Sequence, residues 1–147
     1  MGASLCASIV IPLTPWQNSM SQWRCVDKQL LIMLHDESLA THGGASGVRD
    51  EGFLDSALNR APNLALYEQP DFAELAAAYG LGLAKNHAFV DGNKRVAFLS
   101  VGLFLGLNGY KLNASQVDAT LTILALAAGE IDEANFAGWI RQNSVVR

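Results

Sequence analysis

The sequence predicts an all-α domain, on three observations. Apolar residues recur at the three-and-four spacing of a helix face in about six segments. Most of these segments open on Asp or Ser and close on Gly or Asn, residues that satisfy the free backbone groups at helix ends. Strict alternation of apolar and polar residues, the mark of a half-buried strand, is almost absent. The expected architecture is a compact bundle of about six helices around one central buried helix, residues 93–107.

Composition narrows the function. A chain of 147 residues suits one domain with a single core. Half the residues are hydrophobic and 16% are charged, which excludes a disordered chain. A net charge of −4 and a pI near 5.2 exclude a general nucleic-acid binder, which would carry a basic face. The two cysteines, Cys6 and Cys25, lie far apart without metal-ligand spacing, so neither a zinc site nor a disulfide framework is expected. No apolar run reaches the roughly 18–20 residues that span a bilayer, so no membrane role is expected and a reducing cytoplasm is the simplest location.

Residues 1–20 contain no Lys, Arg, Asp or Glu and read as an extension, disordered or mis-assigned, with Met20 a candidate start. The folded domain then covers 21–147. Asp27 caps a first helix to about Thr41, with Leu30, Leu31, Leu34 and Leu39 as its apolar stripe. His35 and Asp36 sit near that stripe and read first as structural polar residues, with a place in the site as the second reading. The glycines of 42–47 make a loop. Asp50 caps a second helix, with Phe53, Leu54, Ala57 and Leu58 facing inward and Pro62 ending it. Arg49 reads as a structural ion-pair partner, and 63–70 as a connector that edges the site.

Asp71 starts a third helix to Asn86, whose alanines and glycines permit close packing. Lys85, two residues before His87, points either to solvent or to the phosphate site, with solvent favoured. A fourth helix, 93–107, carries apolar residues on almost every face and should be the most buried; Asn108 and Gly109 stop it. Tyr110–Leu112 is a short extended link. Ser115 and Asp118 open a fifth helix that Gly129 closes. A last helix runs from Glu133 to about Arg141, anchored by Phe136, Trp139 and Ile140.

Between the third and fourth helices lies His87-Ala-Phe-Val-Asp-Gly-Asn-Lys-Arg95. A polar loop that opens a helix is an anion site, because the first backbone N–H groups lack partners and the helix dipole is positive there. Gly92 lets the backbone turn or approach a ligand. Lys94 and Arg95 suit phosphate. Asp91 offers oxygen to a hard cation such as Mg²⁺, and His87 suits general-base work near neutrality. The set reads as phosphoryl or nucleotidyl transfer. Phe89 should anchor the loop in the core, facing away from His87.

This stretch resembles the signature of the Fic/Doc superfamily, whose commoner form is His-Pro-Phe-x-(Asp/Glu)-Gly-Asn-Gly-Arg. Here Ala88 replaces the Pro and Lys94 the second Gly, and the Lys form resembles the death-on-curing (Doc) branch, the toxins of bacterial toxin–antitoxin pairs. Leu34-His35-Asp36, Gly47–Gly52, Leu54–Ala57 and Ala128–Ile131 also resemble that branch. The resemblance implies a helical fold and a kinase that moves phosphate from ATP to a hydroxyl of translation elongation factor Tu. It implies His87 as base, Asp91 as Mg²⁺ ligand, and Gly92, Asn93, Lys94 and Arg95 as the nucleotide-phosphate cradle. It also implies a target-engaging flap near 63–70 and a small antitoxin as partner. Glu51-Gly52 matches the tail of the wider family's internal inhibitory segment, but Gly47 stands where Ser or Thr belongs, so inhibition should come from outside. Two other readings are an AMP-transferring Fic enzyme, against which Lys94 weighs, and a catalytically silent antitoxin-binding module, against which the intact motif weighs.

Overall fold

The computed structural model describes residues 22–147, and the expected extension over 1–20 lies outside them. Six helices and one small sheet form the described part: α1 (Lys28–His42), α2 (Glu51–Tyr67), α3 (Phe72–Asn86), α4 (Asn93–Leu107), β1 (Tyr110–Leu112), α5 (Gln116–Ala128), α6 (Glu133–Gln142) and β2 (Ser144–Val146). The all-α expectation holds, and the short link at 110–112 proves to be a strand. It pairs antiparallel with β2, Lys111 opposite Val145.

Local chemistry explains the helix starts. The carboxylates of Asp27, Asp50, Asp71 and Asp132 and the hydroxyl of Ser115 each accept from an N–H in the first turn. At α3 the cap is reciprocal. Glu74 N–H donates to Asp71 Oδ1 at 2.9 Å, and Asp71 N–H donates to Glu74 Oε1 at 2.9 Å. Arg141 Nε on α6 reaches the other Asp71 oxygen at 2.7 Å, so this cap also ties the last helix to the third.

Three expectations about packing are corrected. Pro62 does not end α2, which runs on to Tyr67. Leu54, Ala57, Ala61 and Ala65 form one buried face against α3, and its packing outweighs the missing proline N–H. Residues 63–67 are therefore helical, leaving only 68–71 as a link. Phe53, expected inside, is 45% exposed, with the Arg49 guanidinium 5.6 Å above its ring.

The most buried helix is α3 rather than α4. Ten of its fifteen residues are buried, against six of fifteen in α4. The reason is side-chain size: α2, α4 and α6 all pack against an Ala- and Gly-rich rod. A Cβ on Gly80 would stand 2.8 Å from Phe136 Cε2, and one on Gly82 would stand 3.2 Å from the Ala57 backbone. Helices α3 and α4 share the centre, and the loop between them carries the 87–95 motif.

Cys25 is buried, and Cys6 lies outside the described residues. Among the described residues no helix is long and apolar enough to cross a membrane.

Candidate active site

The motif loop starts where α3 stops. His87 takes the left-handed conformation at the C-cap (φ 51°, ψ 44°), which turns the chain and leaves the imidazole exposed. Ala88 and Phe89 follow and are buried, so Phe89 anchors the loop as expected while His87 stays outside.

A second segment clamps this loop. Val48 forms an antiparallel bridge with Phe89. Arg49 N–H donates to the Ala88 carbonyl at 2.7 Å, and Val90 N–H to the Gly47 carbonyl at 3.0 Å. Arg49 Nε donates to the His87 carbonyl at 2.7 Å. Arg49 thus acts on main chain, which replaces its expected role as an ion-pair partner. The segment lying along the motif is 47–49, not the 63–70 region expected to edge the site.

Gly92, also left-handed (φ 73°), is the N-cap of α4 and gives it no side-chain cap. The first-turn N–H groups of Asn93, Lys94 and Arg95 are therefore left for an external acceptor, the arrangement an anion needs. The Gly92 N–H itself donates to Asp91 Oδ1 at 2.8 Å. The Asn93 side chain is engaged at both ends: its Oδ1 accepts from Phe89 N–H at 3.0 Å and its Nδ2 donates to Phe89 O at 3.1 Å. Asn93 can serve an anion through its backbone, while its amide staples the loop.

Asp91 is exposed, and its Oδ2 accepts only a long bond, 3.3 Å, from Ala45 N–H. No cluster of three or more His, Cys, Asp or Glu able to hold a metal occurs among the described residues. One accessible carboxylate is still the protein share that Mg²⁺ asks for when phosphates and water supply the other oxygens. Asp91 fits that ion.

The cations divide between two sides of the loop. Lys94 lines a cavity of about 610 Å³ together with His87, Lys85, Leu121, Leu124 and Glu130. Arg95 turns toward the glycine loop and donates to the Gly43 carbonyl at 3.3 Å. Lys85 is exposed, as favoured from sequence, and also lines the His87 cavity, the alternative its place two residues before His87 suggested. His35 is wholly buried and donates from Nε2 to the Asp91 carbonyl, 2.9 Å away. Its position between Leu31 and Leu39 on one helix face marks it as an inward residue but not as a partner of the loop.

A left-handed histidine, an accessible aspartate and an uncapped helix start, presented by a clamped loop between two central helices, define a class. The chain belongs to the Fic/DOC family, whose model matches residues 25–105. Among curated relatives, it is 36% identical to the protein kinase doc of Escherichia phage P1 over 120 residues, 81% of this chain and 94% of that protein. It is 45% identical to the toxin Doc of Mycolicibacterium smegmatis over 75 residues, 49% of this chain and 57% of that protein.

Proposed function

We propose that this chain is a Doc-type toxin that transfers the terminal phosphate of ATP to a hydroxyl of a protein target, with translation elongation factor Tu as that target. The observation that carries the reading is the shared cavity of His87 and Lys94 beside the open N-terminus of α4. Likeness along 94% of a relative named as a protein kinase supports the choice of reaction.

In this reading His87 accepts the proton of the attacking hydroxyl. The hydroxyl oxygen bonds to the γ-phosphorus, and the bond from that phosphorus to the bridging oxygen breaks, releasing ADP. The N–H groups that open α4, with Lys94, stabilise charge on the transferred group. Mg²⁺ held by Asp91 would offset charge on the nucleotide phosphates. A Lys at position 94, where the commoner motif has Gly, fills space and adds a cation, which favours a pose presenting the terminal phosphate. In-line transfer tolerates little misplacement, so the pose selects the phosphorus attacked.

A small antitoxin controls the protein in this proposal. Val117, Leu121 and Leu124 are exposed at 71%, 60% and 45% along one side of α5, and the last two also line the His87 cavity. Such a stripe suits the apolar face of an amphipathic segment. The acidic net charge of −4 agrees with a protein partner and not with nucleic acid. Action on translation places the protein in the cytoplasm.

The deciding experiment incubates purified protein with Mg²⁺, elongation factor Tu and ATP labelled at the α or the γ phosphate. Label transferred only from the γ position supports the kinase reading. Transfer from the α position makes the chain an AMP transferase, and a His87→Ala variant that still arrests growth removes His87 as the base.

A further inference from the structure

His35 is buried on α1 with one ring nitrogen, Nδ1, lacking any hydrogen-bond partner. Its Nε2 lies 2.9 Å from the Asp91 carbonyl oxygen. A carbonyl can only accept, so Nε2 carries the ring hydrogen and Nδ1 is a bare acceptor. Burying such an acceptor is unfavourable. A phenylalanine or leucine would fill the same place without that burden, so space filling alone does not account for an imidazole here.

The rest of its surroundings point at the loop. The ring stands edge-on to Phe89, with centroids 4.6 Å apart and planes at 68°. A Cβ on Gly92 would come within 2.8 Å of His35 Cε1, so the glycine backbone lies directly against the ring. The 91–92 peptide is thereby held at both ends. His35 fixes its carbonyl, and Asp91 Oδ1 accepts its N–H at 2.8 Å. Because that second bond uses the Asp91 carboxylate, the orientation of the peptide plane and of the carboxylate are linked.

We propose that His35 is a positioning residue, which sets the Asp91–Gly92 peptide plane and so aims the Asp91 carboxylate. It touches no reacting atom. The inference rests on the reading of Asp91 as the cation ligand, and its sequence distance from the motif explains why no local pattern discloses it.

The test uses Mn²⁺ with ATP as the probe, its binding followed by electron paramagnetic resonance. His35→Phe keeps the volume and loses the donor; it should weaken Mn²⁺ binding by about 10- to 100-fold, the usual effect of losing a support behind a metal ligand. Affinity for ATP without divalent cation should not change. His35→Gln, whose amide nitrogen reaches the place of Nε2, should restore most of the binding. Unchanged Mn²⁺ binding in His35→Phe, or equal loss in both variants, overturns the inference. Asp91→Asn separates the two levels. If it binds Mn²⁺ like the parent protein, the reading of Asp91 falls and this inference with it; if it loses the ion while His35→Phe does not, only the inference falls. A nitrogen NMR spectrum of the unaltered protein needs no variant to fold. It should show the His35 hydrogen on Nε2, and a ring carrying it on Nδ1 instead overturns the proposal.

Discussion

The side-chain amide of Asn93 brackets the backbone of Phe89, accepting its N–H at 3.0 Å and donating to its carbonyl at 3.1 Å. The first residue of α4 therefore holds the middle of the loop that precedes it. Asn93→Ala would leave the part-buried N–H and carbonyl of Phe89 without these partners. The expected cost is about 2 kcal/mol of stability, read by urea denaturation. Asn93→Asp keeps the acceptor and loses the donor, and should fall between the two proteins. A loss in Asn93→Ala no larger than that of an exposed surface change would remove the staple role.

Tyr79 gives an alkaline signature. Burial pushes its hydroxyl up to about 12, against the opposing bond from Val26 N–H. The unfolded chain loses this proton from about pH 10, while the folded protein keeps it until about pH 12. Stability from this group is therefore whole below pH 10 and falls as pH rises, by about 2 kcal/mol at pH 12. Tyr79→Phe should flatten that decline and cost about 1 kcal/mol near neutrality, where Val26 N–H loses its acceptor. Parallel denaturation series for the two proteins check both effects.

At the acid end the pair is Asp71 and Arg141. Burial raises the carboxyl, but the Arg141 guanidinium and the Glu74 N–H together hold it below its ordinary value. The stability this confers is present above the ordinary carboxylate range and lost as pH falls through the lowered value. Both side chains are over 40% exposed, so the effect should stay below about 1 kcal/mol and shrink with salt. Melting temperatures of Arg141→Gln and the parent protein should differ at neutral pH and converge in acid. A difference that persists in acid would mean the contact acts through packing.

Two glycines should respond in opposite directions. Gly80→Ala places a methyl 2.8 Å from Phe136 and 3.0 Å from Val101, and should destabilise by about 1–3 kcal/mol. Gly102→Ala on α4 meets nothing within 4 Å and should stabilise by about 0.5–1 kcal/mol through helix propensity. Thermal melts of the two variants decide it, and similar shifts would contradict the close α3 packing.

These contrasts show what the chain discloses locally and what it does not. Caps at Asp27, Asp50, Asp71 and Ser115 were legible because each acts on a backbone group three residues away. Pro62 misled because its local cost is set against a buried face formed with another helix. The alanines of α3 announced close packing but not its depth, which depends on three neighbours meeting at one rod. β1 was visible only as an extended link because its partner lies beyond two helices. At the site, residue types in the motif were legible and their division was not. Lys94 and Arg95 are adjacent in sequence, yet the turn of the helix sends one to the His87 cavity and the other to Gly43. His35 and Asp91 meet across 56 residues.

The left-handed backbone at His87 has a thermodynamic corollary. A side chain with a Cβ pays about 1 kcal/mol to sit there, a strain that glycine would not feel. His87→Gly should therefore be more stable than His87→Ala by up to about 1 kcal/mol, and can exceed the parent protein. The residue read as the base then occupies a position where the least reactive amino acid would give the sturdiest fold, a direct trade of durability against reactivity.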